Sequence, residues 1–229
     1  MPSLDHLSSQ TRSSMGVKPI NGSAAGLKEW AIVCKALEEG RQVILLRKGG
    51  IMEYKNGFEV KHSNFFLYPT YEHQSKESLQ PDYADKLDSV LQNTPRDNRN
   101  RISSCATAIQ VMQITDEGVL GRLEKYHIWN DRYVNIRMRY NPKKPMNVVV
   151  LRVYKMNNPI EVDIEPELTG CRSWVPIRLH NTNLEAHQKS QHEYNNQSAV
   201  DIIDTDFQPV LNDSEFKEIV KELQELSIK

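Results

Sequence analysis

Cysteine is scarce in this chain of 229 residues. Cys34, Cys105 and Cys171 are odd in number and share no paired spacing, which excludes a disulfide framework and a CxxC metal site. Long apolar runs are also missing: none approaches the roughly 18–20 residues of a spanning helix. The first residues hold no apolar core of a secretory signal, so a reducing cytoplasm is the expected setting. Net charge is nearly absent, with 29 Lys+Arg against 30 Asp+Glu. A global pull toward nucleic acid or anionic membrane is thereby excluded, and such a partner requires a local patch. Hydrophobic residues make up 38% and mean hydropathy is -0.60, which implies polar tails and loops around a smaller core. No cofactor is expected.

What is present reads as an α+β domain: a mixed, mostly antiparallel sheet flanked by helices, behind a disordered tail at 1–25. Residues 26–229 read as a single domain. The polar run 96–101 is a candidate boundary between sub-lobes 26–95 and 102–229, and the amide- and His-rich stretch 180–198 is a mobile loop. Leu27, Trp30, Ala31, Cys34 and Leu37 fit one helical stripe, so a helix is taken over 27–38. Trp30, Ile32 and Cys34 also alternate, which keeps a strand open over 27–37. Further helices are predicted at 83–92, 116–126 and 213–226, the last capped by Asn212 with Glu215 reciprocal. Strands are predicted at 43–46, 51–54, 58–62, 65–68, 106–114, 132–140, 147–156 and 170–175. Asn56-Gly57 marks a hairpin turn. The strands at 132–140 and 147–156 are expected to pair centrally.

Several separated motifs resemble one family. Trp30-Ala31, LLRKGGI (45–51), LYPTYEHQ (67–74), HIW (127–129), LRVY (151–154) and GCRSW (170–174) stand in the order of the bacterial family catalogued as domain of unknown function 1802. The Ser-rich start and the amide-rich insertion look most like cyanobacterial members. Some relatives are fused to restriction-endonuclease-like domains of the Mrr type, which implies DNA-related defence. The resemblance assigns no activity.

Candidate chemistry concentrates at 43–74. The turn Arg47-Lys48-Gly49-Gly50 combines two cations with backbone that can approach an anion closely. It lacks Walker spacing, so it is no P-loop. Tyr71, His73 and Trp129 are expected to shape a pocket. Arg137, Arg139 and Arg152 supply a basic strand face, with Tyr133 interleaved as a base-stacking aromatic. From 122 to 178 there are eleven Lys/Arg against six Asp/Glu, a local excess of 11 − 6 = +5. The competing reading ties these arginines to the carboxylates at 161–167. The first function read from this pattern is a non-catalytic recognition module for nucleic acid or a phosphorylated ligand. The second is a metal-dependent phosphodiester or nucleotide hydrolase centred on Glu53, Glu59, His62 and His73, in which Glu59-Val60-Lys61 supplies half of a nuclease centre. No metal site is assigned, because no chelating spacing is present. A third is an interaction module that docks a partner through its last helix.

Overall fold

The computed structural model describes residues 23–48, 57–178 and 207–228. Of the expected tail at 1–25, residues 23–25 are strand, paired as part of β1; the rest of it, the loop at 180–198, the strand expected at 51–54, and Gly49, Gly50 and Glu53 lie outside the described residues. The strands are β1 (Ser23–Trp30), β2 (Ile44–Arg47), β3 (Asn64–Thr70), β4 (Arg99–Ile114), β5 (Met146–Asp163), β6 (Trp174–Arg178) and β7 (Phe207–Pro209). The helices are α1 (Ala31–Glu38), α2 (Pro81–Ala84), α3 (Leu87–Leu91), α4 (Glu117–Gly121), α5 (Asp131–Arg139) and α6 (Asp213–Ile228).

All seven strands form one sheet in the order β2-β5-β4-β3-β1-β6, with β7 also on β5. The β1–β3 pair is parallel and the rest are antiparallel, giving the expected mixed sheet flanked by helices. β4 and β5 pair along most of their length, broken by irregularities between Ile102 and Ser104 and between Ala108 and Gln110. Such breaks bend a sheet. The bend has a direct sign. β2 and β1 are four places apart in the order, about 19 Å in a flat sheet. Yet Arg47 on β2 donates to the Lys28 carbonyl (3.3 Å) and to Glu29 (3.0 Å) on β1. The sheet therefore curls until its β2 end meets β1.

Alternation along the strands feeds a core on each face. On β3, Phe65 and Leu67 join the larger core with α1, β2 and α6, while Phe66 and Tyr68 join a smaller one with Ile102, Val162, Leu168, Val175 and Ile177. Both faces are buried because helices cover one and the folded-over strand ends cover the other.

The element from 27 to 38 resolves into both readings. Leu27 to Trp30 extend β1, and the helix starts at Ala31. Gln74 accepts the Ile32 N–H at 3.1 Å, satisfying one of the open donors of the first turn. The expected capping box of α6 is present: Asn212 Oδ1 accepts from Glu215 N (2.9 Å), and Glu215 accepts from Asn212 N (3.1 Å). The helix at 83–92 is two short pieces, α2 and α3, and that at 116–126 is α4 followed by a 3-10 turn.

Three expected strands are corrected. Residues 132–140 form helix α5, so their pairing with 147–156 does not exist; β5 pairs with β4, β2 and β7 instead. Asn130 caps α5 by accepting from Tyr133 N at 3.0 Å, Asp131 stands in the first turn, and Arg137 and Arg139 stand in the last. Both charge placements suit the helix dipole. The apparent alternation misled because Val134 and Met138 are also i and i+4 on a helix; the third member, Ile136, is 57% exposed. Residues 58–62 form no strand. Side chains take their carbonyls: Trp174 Nε1 donates to Glu59 and Asn147 Nδ2 to Phe58. The final short strand begins at Trp174 rather than at Gly170.

Candidate functional site

A cleft of about 450 Å³ opens at the seam where the curled sheet meets itself. Its position follows from strand register. The parallel pairing sets Lys28 beside Tyr68 and Trp30 beside Thr70, so these four share one face. Tyr68 belongs to the smaller core on this face, while Trp30, at the end of β1, packs against the edge of the larger one. At the strand ends polar groups replace apolar ones, and the cleft begins there. β4 adds Asn100, whose Nδ2 donates to the Pro69 carbonyl at 2.8 Å. Ile164 and Leu168 give the apolar part of the lining, and the loop before β6 adds Cys171, Arg172 and Ser173. Gly170 takes φ 77°, a left-handed turn that glycine adopts without strain, as that loop reverses.

Lys28, Arg47, Arg137 and Arg172 line this cleft together with His73, while Glu72 is the carboxylate among the described lining residues. Arg47 is offset by Glu29, a mostly buried partner behind it. Lys28 donates to the Gly170 carbonyl at 3.0 Å. Its ammonium pKa is held below the usual lysine value, first by burial and next by the charge of Arg172, with Glu72 opposing. Cations are thus gathered at one cleft, and the charge of Arg172 beside Lys28 is the kind of repulsion that an incoming anion relieves.

The aromatic wall has depth. Trp30 lines the cleft and meets Trp129 edge-on at 5.0 Å between centroids; Trp129 stacks on Tyr133 at 3.9 Å. Tyr71 is half-buried, and its phenol pKa is raised by burial and then by the nearby Cys34 and Glu38.

Of the residues singled out in the sequence, Arg47, Tyr71, His73 and Arg137 are brought together at this cleft. Trp129 is buried behind the wall rather than in it. Lys48 does not line the cleft. Its side chain is 2% exposed and its Nζ donates to the Met138 carbonyl at 2.5 Å, placing a cation at the last turn of α5. Arg139 is exposed on α5 away from the lining, because the arginines of a helix diverge where those of a strand would align. Arg152 is buried and holds the start of α6 through Asp213 (2.6 Å) and the Asn212 carbonyl (3.3 Å). Of the arginines between 122 and 178, Arg178 pairs with Glu165, while Glu161 and Asp163 pair with Arg99, which lies outside that set.

The described residues proposed for hydrolysis, Glu59, His62 and His73, are not gathered at the cleft. Glu59 is exposed, His62 packs edge-on against Trp174, and only His73 of the described candidates reaches the cleft. Among the described residues no three His, Cys, Asp or Glu side chains form a metal cage. Sequence reasoning missed Lys28, Trp30, Asn100 and Arg172 as cleft residues. Lys28 and Trp30 sat inside a segment read as helix, and the other two became neighbours only through β3, β4 and the β6 loop.

The chain matches the family described as Domain of unknown function (DUF1802) over residues 26–200, and it belongs to that family. No curated protein matches it. Among solved structures it is similar to the crystal structure of ASCH from Zymomonas mobilis, with 15% identity over 86% of this chain and 93% of that chain, at a TM-score of 0.34. A likeness of that size carries no argument about the cleft.

Proposed function

We propose that the protein is a non-catalytic recognition module whose cleft holds a phosphate-bearing ligand, in nucleic acid or in a phosphorylated small molecule. The observation that carries this is the convergence of Lys28, Arg47, Arg137 and Arg172 on one cleft of about 450 Å³, where Glu72 is the one carboxylate among the described lining residues. That volume lies within the range of small-ligand sites. Lysine and arginine side chains at a concave surface attract phosphate strongly, because low-dielectric walls focus their field.

Binding tests it. A labelled single-stranded oligonucleotide and inorganic pyrophosphate are titrated separately, by anisotropy and by calorimetry. Two or three phosphate contacts to a single strand predict roughly a tenfold loss of oligonucleotide affinity between 50 and 200 mM salt. Arg137→Glu with Arg172→Glu removes binding of both probes while the melting temperature shows the fold intact. Absence of binding, or oligonucleotide binding that ignores both salt and the double substitution, overturns the reading.

A further inference from the structure

We propose that the phosphate-bearing ligand is a nucleotide unit whose single base is held in this cleft, with Trp30 as the stacking surface and Asn100 as the acceptor for the base's N–H edge. This rests on the reading of the cleft as a phosphate site and adds what lies beyond the phosphate.

Two observations carry it, neither of which a plain anion site needs. The first is Asn100. It is 2% exposed, yet its Oδ1 has no hydrogen-bond partner among the described residues. The amide cannot turn to hide this, because Nδ2 is committed to the Pro69 carbonyl at 2.8 Å. A buried acceptor left open is costly and calls for a donor. A phosphodiester has none to offer and a phosphomonoester is mostly fully ionised at neutral pH, whereas the imino and amino groups of a base are donors.

The second is Trp30. It lines the cleft and is held edge-on by Trp129, which is itself fixed by Tyr133, so its ring is braced from behind. A braced indole at the wall of a cationic cleft is the arrangement on which a base stacks regardless of its identity. The strand order sets the spacing. Glu29, the residue before Trp30, pairs with Pro69 on β3, and Pro69 receives the Asn100 amide from β4. Two strand spacings separate Trp30 from Asn100, about 10 Å between backbones. Side chains reaching in from both leave room for one planar ring, with Lys28, Arg137 and Arg172 left for the phosphate.

The test compares ligands on the unaltered protein first. Nucleoside monophosphates, ribose 5-phosphate, inorganic phosphate and a short single-stranded oligonucleotide are titrated by calorimetry. Base-bearing ligands are expected to bind at least tenfold tighter than ribose 5-phosphate. Tighter binding of the oligonucleotide than of the monophosphates assigns the base to a strand, and the reverse assigns it to a free nucleotide. Trp30→Leu is expected to lower nucleotide affinity about tenfold and leave ribose 5-phosphate unchanged, with Trp30→Phe restoring most of it. Asn100→Leu is expected to abolish preference for a base over its N-methylated form. Equal binding of ribose 5-phosphate and the nucleotides overturns this inference and leaves the phosphate reading standing. No binding of any of the four ligands removes both.

Discussion

Arg47 Nη1 lies 3.0 Å from Glu29 Oε2, and this ion pair joins strands that are four places apart in the same sheet. Both side chains are largely buried, so the pair acts as a clasp on the curled sheet. It also positions the Arg47 guanidinium, which sits 4.9 Å from the Phe58 ring centre as well.

Removing one partner should therefore cost more than removing both. Glu29→Ala leaves a buried guanidinium uncompensated, at a cost of about 3 kcal/mol. The double variant Glu29→Ala with Arg47→Met should lose less than the sum of the two single losses. Urea unfolding of the four proteins measures the coupling. Additive losses would show that the clasp is incidental to closure.

Arg152 was expected to face a ligand and instead anchors α6. Arg152→Met should lower stability by about 1–2 kcal/mol, the exposed position of Asp213 limiting the ion pair's share. Hydrogen exchange at Phe216 and Val220, which pack in the larger core, should accelerate. Affinity for pyrophosphate should be unchanged. A matching loss of binding would put Arg152 back at the site.

His127 sets a pH dependence. It is buried, its Nδ1 accepts the Trp129 N–H at 3.2 Å, and its Nε2 has no partner among the described residues. Burial pushes its pKa down to about 4, while in the unfolded chain it titrates near 6.5. Between those values the unfolded state binds the extra proton. The stability is thus fully present above about pH 6.5 and lost as pH falls toward 4, by up to about 3 kcal/mol. Melting temperatures of the protein and of His127→Gln, compared from pH 4 to 8, should converge toward the acid end. A constant gap between the two would show that His127 does not titrate differently on folding.

The helical state of residues 131–139 has its own test. Ile136→Lys, on the exposed face, should change stability by less than about 0.5 kcal/mol. Asn130→Ala should cost about 1–2 kcal/mol, since it removes the α5 cap and the bonds to the Glu77 and Leu79 carbonyls. The reverse ranking in thermal melts would mean that the alternation of apolar residues, not the cap, describes this segment.

The sequence by itself determined the features that are local. The capping box of Asn212 and Glu215 depends on residues three apart, and so it was legible. So were the strand at 147–156, which lies within β5, and the class of fold. Of segment 43–74, Arg47, Tyr71 and His73 line the proposed cleft. Where two periods fit the same residues, local pattern had no means to choose: Val134 and Met138 suit a strand and a helix alike. Burial of Tyr133 against Trp129 on one side of α5, with Ile136 left in water, made the choice. The tertiary structure alone decided the site. Lys28 and Trp30 reach it because β1 pairs in parallel with β3, a contact between residues about forty positions apart. Asn100 reaches it through Pro69, and Arg47 because the sheet curls. Apart from Lys28 and Trp30 on one strand, none of these neighbours is near another in the chain, and the cations diverted from the cleft, Lys48 and Arg152, were claimed by helix ends that only the folded chain brings to them.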